Sequence, residues 1–210
     1  MNAADTTEFA NLGVATIYEA AGRTGLIDMP LIQLLPESRV AGPARTVRCG
    51  SGDNLMVHAV LDQVRPGEVL VLTMPESEPV ALVGDLLATQ ALVREVAALL
   101  VDAAVRDSED LRALGLPIWT RFVRVRGATK NKLGTIGEPV VVGGVKICTG
   151  DLVVLDADGG VVVPTSRTAE VLDASRERAE REVMMREKLQ AGALSYDLHG
   201  LRAKVEGGSS

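Results

Sequence analysis

The sequence predicts a mixed α/β domain, a sandwich or an open barrel, and three observations carry that prediction. Segments of helical and strand periodicity interleave through the first half of the chain. Short β-runs then follow one another, and a long, densely charged helix closes the pattern. With 210 residues, 47% of them apolar, one sizeable core can be buried without disulfides or metal. Two Phe, two Tyr and one Trp are the whole aromatic complement, so that core must be aliphatic. No break in composition divides the chain. Residues 1–206 therefore read as one domain, and 207–210 as a frayed or appended tail.

Taken in order, Thr6 to Ala21 has helical character and stops at Gly22, a residue type that accepts the left-handed conformation after a helix. Ala44 to Cys49 alternates like a strand. Beyond the turn Gly50-Ser51-Gly52-Asp53, Asn54 to Val64 sets Leu55, Val57, His58, Leu61 and Val64 at helical spacing, and Pro66 closes it. Glu68 to Thr73 is a strand. Gly84 to Asp107 admits two readings: one continuous helix, or a helix of about four turns followed by a buried strand near Leu99 to Ala103. An unbroken helix rising ~1.5 Å per residue holds Asp85 and Arg106 about 31 Å apart, whereas a helix folded back into a strand lets them meet. Ser108 to Leu114 is a short helix with Ser108 as its N-cap and Gly115 at its end. Ile118 to Arg126, Val140 to Val142, Val145 to Ile147, Asp151 to Leu155 and Gly160 to Pro164 are short β-runs divided by Gly-Gly, Thr-Gly-Asp and Asp-Gly turns. The last helix runs from Thr168 to Gln190.

Composition narrows the function. A net charge of −6 leaves no basic surface to neutralise phosphates, and so few aromatic rings cannot build a base-stacking platform. A nucleic-acid binder is not expected. Cys49 and Cys148 lie outside any C-x-x-C and read as two buried thiols in a reducing compartment. Asp5 and Glu8 stand where a signal peptide carries Lys or Arg, and Asp102 breaks the apolar run Ala97 to Val101. Neither a leader nor a membrane span is expected, and the protein reads as cytoplasmic.

Exclusion also narrows the chemistry. His58 and His199 are the two histidines, and no H-E-x-x-H, G-x-S-x-G or paired C-x-x-C occurs. His58 shares the apolar spacing of its helix and reads as a core histidine. Any metal would be held by carboxylates and water, which favours Mg²⁺ or Mn²⁺ over zinc. Gly50-Ser51-Gly52 lacks the third glycine of a dinucleotide fingerprint. Lys130, Lys132, Lys146, Lys188 and Lys204 all lie outside apolar runs that would prepare a Schiff-base lysine.

Two features remain. In Val83-Gly84-Asp85-Leu86-Leu87 a glycine opens a helix, whose free N–H groups and dipole suit a carboxylate or phosphate. An ordinary helix start fits the same residues. Arg106-Asp107 follows an apolar strand-like run and sets a cation beside an anion, as binding an anionic substrate next to a metal requires; a solvated loop pair is the alternative.

Asp85, twenty intervening residues and then Arg106-Asp107 reproduce the D-X20-R-D motif of the RraA-like family. The chain resembles in particular that family's metal-dependent pyruvate aldolases, which act on 4-hydroxy-4-methyl-2-oxoglutarate and 4-carboxy-4-hydroxy-2-oxoadipate. The likeness runs through Thr16-Ile17-Tyr18-Glu19-Ala20, Val40-Ala41-Gly42-Pro43-Ala44, Gly52-Asp53-Asn54-Leu55-Met56, Gly84-Asp85-Leu86-Leu87-Ala88, Gly150-Asp151 and Asp158-Gly159-Gly160-Val161-Val162-Val163-Pro164. Gly192 to Leu198 is similar to the family's tail but carries Ala193 where a glutamate is usual.

The resemblance implies a swivelling α/β/α sandwich-barrel with a C-terminal helical extension, assembled as a homotrimer or homohexamer with the site between subunits. It implies Asp107 as the protein ligand of Mg²⁺ or Mn²⁺, and a 2-oxo acid substrate held by Gly84, Asp85, Leu86, Leu87, Arg106, Asn54 and Lys130. Arg106 would act at the C2 oxygen, and Asp85 and a neighbouring subunit's Glu182 would handle protons, with Glu19 near the site. Oxaloacetate decarboxylation would accompany cleavage. The same fold also includes regulators that bind ribonuclease E, which tend to be shorter at both ends, and enzymes acting on other 2-oxo acids.

Overall fold

A computed structural model describes residues 3–207 of the chain, so Gly207 alone of the expected tail is among them. Two helices, α1 (Ala3–Leu12) and α2 (Val14–Ala20), replace the single N-terminal helical region expected. Gly13, at φ 80°, breaks them apart, and the buried Asp156 carboxylate takes the freed Val14 N–H at 2.8 Å. There follow β1 (Ile32–Gln33), β2 (Val40–Arg48), α3 (Leu55–Val60), β3 (Val69–Thr73) and β4 (Ala81–Val83). Next come α4 (Asp85–Val93), β5 (Ala98–Val105), α5 (Ser108–Leu114), β6 (Ile118–Val123) and β7 (Thr135–Ile136). The hairpin β8 (Val140–Val142) and β9 (Val145–Ile147) leads to β10 (Leu152–Asp156), β11 (Gly159–Val163) and α6 (Thr168–Gln190). Two short helices, α7 (Ser195–Leu198) and α8 (Leu201–Glu206), end the described chain.

The strands line up as β1-β6-β5-β3-β2-β10-β11, with β4 added to β5 and β7 to β2, and the sheet curls towards a barrel. Strand β2 joins its two halves. Residues 40–43 pair antiparallel with β10, and residues 44–48 pair parallel with β3. Alternation along the strands sorts their side chains into separate cores, which is why segments such as Val69–Thr73 are apolar on both faces. Leu70 and Leu72 face a cluster with Val57, Val60, Ala88, Ala91 and Leu111 from α3, α4 and α5. Val69 and Val71 face the barrel interior with Leu100, Trp119, Val153 and Leu155, and Val140, Val142 and Ile147 of the hairpin pack into that interior. On the far half, Leu152, Val154, Val161 and Val163 meet Phe9, Ile17, Val171 and Leu172 of the terminal helices.

The segment from Gly84 to Asp107 folds back. Helix α4 is nine residues long, shorter than the four turns expected, and Glu95 at φ 57° begins the reversal into β5. Because β4 and β5 run parallel, β4-α4-β5 is a crossover that returns the chain to the end where α4 began. Val83 pairs with Val105, so Gly84 and Arg106 emerge side by side. The expected helix Asn54 to Val64 ends its regular part at Val60, and β6 stops at Val123 rather than Arg126. Asp107, not Ser108, occupies the N-cap of α5, with its C=O accepting the Leu111 N–H at 2.9 Å. Cys49 is buried and Cys148 half-buried, and both are free thiols. Among the described residues no helix is long and apolar enough to cross a membrane.

Candidate functional site

At the carboxyl ends of β4 and β5 lies a cavity of about 140 Å³, the crevice that parallel strands characteristically leave for ligands. Asn54, Gly84, Asp85, Leu86, Leu87, Arg106 and Lys130 line it, so the structure gathers every residue expected to hold substrate. The first ladder bond of α4 runs from the Ala88 N–H to the Gly84 C=O at 3.1 Å. The N–H groups of Leu86 and Leu87 precede it and are free for a ligand, with the helix dipole favouring an anion there.

Asp107 stands behind this wall. Its Oδ2 accepts the Asp85 N–H at 3.3 Å and lies 3.4 Å from Arg106 Nε. The backbone at Asp107 is left-handed, φ 58° and ψ 42°, a conformation that aspartate and asparagine adopt more readily than other non-glycine residues. Gly84 makes the approach possible. A Cβ there would lie 2.5 Å from Asp107 Oδ2 and 3.1 Å from Arg106 Nε. Arg106 Nη1 passes equally close to Gly127 on its other side. The guanidinium is thereby aimed by packing between two backbone segments, while its side chain keeps 47% of its exposure for a ligand.

His58 is a cavity-lining residue that sequence reasoning misplaced. It is exposed and lines the cavity rather than filling the core. The core-facing residues of α3 are Val57 and Val60, which turns the intervening His58 outward, one helical turn beyond Asn54. Desolvation, followed by the charge of Lys130, holds its pKa below the ordinary histidine value. The four-residue spacing of Asn54 and His58 was the available signal. Leu86, Val125 and Leu133, on the segments that carry the cavity, are 78%, 90% and 84% exposed.

Glu182 lies elsewhere in the chain. It pairs with Arg178 at 2.8 Å on α6, and Arg178 also reaches Glu19 at 3.8 Å. Neither glutamate lines the cavity. No group of three or more His, Cys, Asp or Glu gathers among the described residues in a way that could cage a metal.

Residues 14–163 match the model of a family described as RraA-like, Aldolase/RraA. A protein of Halalkalibacterium halodurans (strain ATCC BAA-125 / DSM 18197 / FERM 7344 / JCM 9153 / C-125), provisionally named 4-hydroxy-4-methyl-2-oxoglutarate aldolase, is 33% identical over 201 residues. That alignment covers 95% of this chain and 93% of the relative. The crystal structure of Streptomyces coelicolor RraAS2, described as an unusual member of the RNase ES inhibitor RraA family, superposes with a TM-score of 0.77 at 30% identity. It covers 89% of this chain and 97% of that one. The RNA-processing inhibitor RraA from Thermus thermophilis superposes at a TM-score of 0.60 and 29% identity, over 67% of this chain and 83% of its own.

Proposed function

The chain belongs to the RraA-like family, and from that premise we propose that it is a divalent-metal-dependent pyruvate aldolase. Its substrate would be 4-hydroxy-4-methyl-2-oxoglutarate, giving two pyruvates, or 4-carboxy-4-hydroxy-2-oxoadipate, giving pyruvate and oxaloacetate. The observation that carries this reading is the meeting of an anion-binding helix start and a packed arginine in one small cavity, with a carboxylate directly behind.

The residues divide the work by chemistry. The N–H groups of Leu86 and Leu87 receive the C1 carboxylate, and Arg106 faces the C2 oxygen. Lys130 supplies a second cation for a carboxylate further along the substrate. A base removes the C4 hydroxyl proton, the C3–C4 bond breaks, and its electron pair becomes the enolate of pyruvate. Arg106 binds the charge that grows on the C2 oxygen more strongly than it binds the neutral ketone, which lowers the barrier. Asp85, which lines the cavity, would take or relay the proton, and Glu182 of a neighbouring copy would complete the relay. The same enolate forms when oxaloacetate loses carbon dioxide, so decarboxylation is expected as a side activity.

The residues fit a hard cation. Asp107 Oδ2 is engaged by Asp85 and Arg106, while its Oδ1 takes no hydrogen bond from the described residues and the side chain is one-third exposed. A single carboxylate with open surroundings suits Mg²⁺ or Mn²⁺, which keep most of their water and fill the rest of their shell with substrate. Such an ion, when bound, supplies Lewis-acid polarisation of the C2 carbonyl. The exposed Leu86, Val125 and Leu133 support self-association over this face, as a homotrimer or homohexamer.

A second reading, a regulator that binds a ribonuclease, draws support from the extent of the likeness to Streptomyces coelicolor RraAS2. It has no need of the cavity. Both substrates, incubated with the protein and Mg²⁺ in a lactate-dehydrogenase-coupled assay, separate the readings. Pyruvate release that Arg106→Ala abolishes supports the aldolase. No release from either substrate, together with tight binding of ribonuclease E, supports the regulator.

A further inference from the structure

We propose that Asp53 is a positioning residue of this site, its buried carboxylate locking the 129–132 segment onto the 50–54 turn and so fixing Lys130 on the cavity wall. The proposal rests on the reading of the cavity as a 2-oxo acid site in which Lys130 meets substrate. Asp53 itself is fully buried and cannot touch a ligand. Nothing in the chemistry above uses it.

Four donors converge on it. Asp53 Oδ1 accepts the Leu55 N–H at 2.8 Å. Its Oδ2 accepts the Thr129 hydroxyl at 2.6 Å, the Asn131 N–H at 2.6 Å and the Lys132 N–H at 3.1 Å. The residues on both sides of Lys130 thus end on one carboxylate oxygen, while the Lys130 side chain is left to the cavity. Backbone bonds back this up. The Asn54 N–H donates to Thr129 O at 2.9 Å, and the Thr129 N–H to Gly52 O at 2.9 Å. Lys132 turns the other way, its Nζ on Ser51 O at 2.6 Å.

Burial alone pushes the Asp53 carboxyl pKa up, but hydrogen bonds from Thr129, Asn131, Leu55 and Lys132 outweigh it and bring it down to about 2. The group is therefore ionised at neutral pH, and each of its hydrogen bonds is charge-assisted. Asn54 next to it is held separately, its Nδ2 donating to Leu82 O at 3.0 Å. A lysine has a long, flexible stem, so a defined charge position in the cavity needs a defined Cα. The Asp53 clamp supplies it.

The test is a cycle of Asp53→Asn and Lys130→Ala, read as KM against kcat for pyruvate release from 4-carboxy-4-hydroxy-2-oxoadipate. A cation that binds a remote carboxylate equally in ground and transition state affects KM alone. Asp53→Asn keeps the shape and loses the charge; it is expected to raise KM about tenfold with kcat within about twofold of wild type. In the Lys130→Ala background the same substitution should add almost nothing, because the group it positions is gone. Thr129→Val, which removes one of the four donors, should raise KM about threefold, and it decides the matter if Asp53→Asn does not fold. The proposal is overturned if either variant, folded, keeps the wild-type KM, or if Asp53→Asn raises KM equally with and without Lys130. An inert wild type, or an unchanged KM in Lys130→Ala, instead defeats the underlying reading of the site and the positioning role with it.

Discussion

Asp107 Oδ2 and the backbone nitrogen of Asp85 lie 3.3 Å apart across 22 residues of chain, in a hydrogen bond that ties the start of α4 to the end of β5. It holds the helix start, the arginine and the carboxylate as one unit. Gly84 is the residue whose missing Cβ permits it.

Gly84→Ala tests that unit with a single methyl group. The added carbon would have to displace Asp107 Oδ2, a carboxylate tied to both Arg106 and Asp85. Overpacking of this kind costs about 1–3 kcal/mol in stability. The expected outcome is a folded protein with slightly lowered Tm whose kcat/KM has fallen about 10²-fold, as misplacement of reacting groups by about 1 Å does. Steady-state kinetics beside a thermal melt check it.

Arg106→Lys keeps the positive charge but loses the planar fork that packs between Gly84 and Gly127. If Arg106 binds charge that develops only in the transition state, kcat should fall roughly 10²–10³-fold with KM little changed. A rise in KM at constant kcat would instead make Arg106 a ground-state anchor.

Asp107→Asn retains a residue type that tolerates the left-handed backbone, so the fold should survive. The charge that would hold the cation is lost. We expect the Mg²⁺ concentration for half-maximal rate to rise at least about tenfold. Chelation should silence the wild type, and Mg²⁺ or Mn²⁺ should restore it. Turnover that persists in chelator would refute the metal requirement.

The Asp53 cluster makes acid stability measurable. Its carboxyl pKa in the folded chain is about 2, below the ordinary aspartate value, so folding favours the ionised form. That contribution is complete above the unfolded value and is lost as pH falls through the folded one. In denaturant titrations, wild type should exceed Asp53→Asn in stability by a constant margin near neutrality. The margin should shrink as the pH drops below about 4.

What was legible in the sequence follows from what carries a local signal. Gly84 to Leu87 and Arg106-Asp107 each also fitted an ordinary helix start or a solvated loop pair, and stood out only through their joint spacing; all of them meet at the cavity or directly behind it. The fold-back between them was open, because Ala97 to Val101 and Ala103 to Val105 suit a buried helix or a buried strand equally and the deciding partner, β4, is only three residues long. Such a strand has no periodicity to read. The break at Gly13 was hidden for a related reason: its acceptor for the Val14 N–H, Asp156, lies 142 residues away. His58 shared a helical spacing with apolar residues, but α3 is short and turns it outward. Glu182 and Glu19 came from family likeness alone, and within one chain they bind Arg178 on another face.

Proton exchange into pyruvate tests the central claim most directly, because it requires the enolate and nothing else of the reaction. Pyruvate in deuterated buffer with Mg²⁺ and wild-type protein should lose its methyl signal in the proton NMR spectrum, and the Arg106→Ala protein should leave that signal intact. Pyruvate that binds without exchanging, or exchange that continues at the wild-type rate without Arg106, would contradict the account.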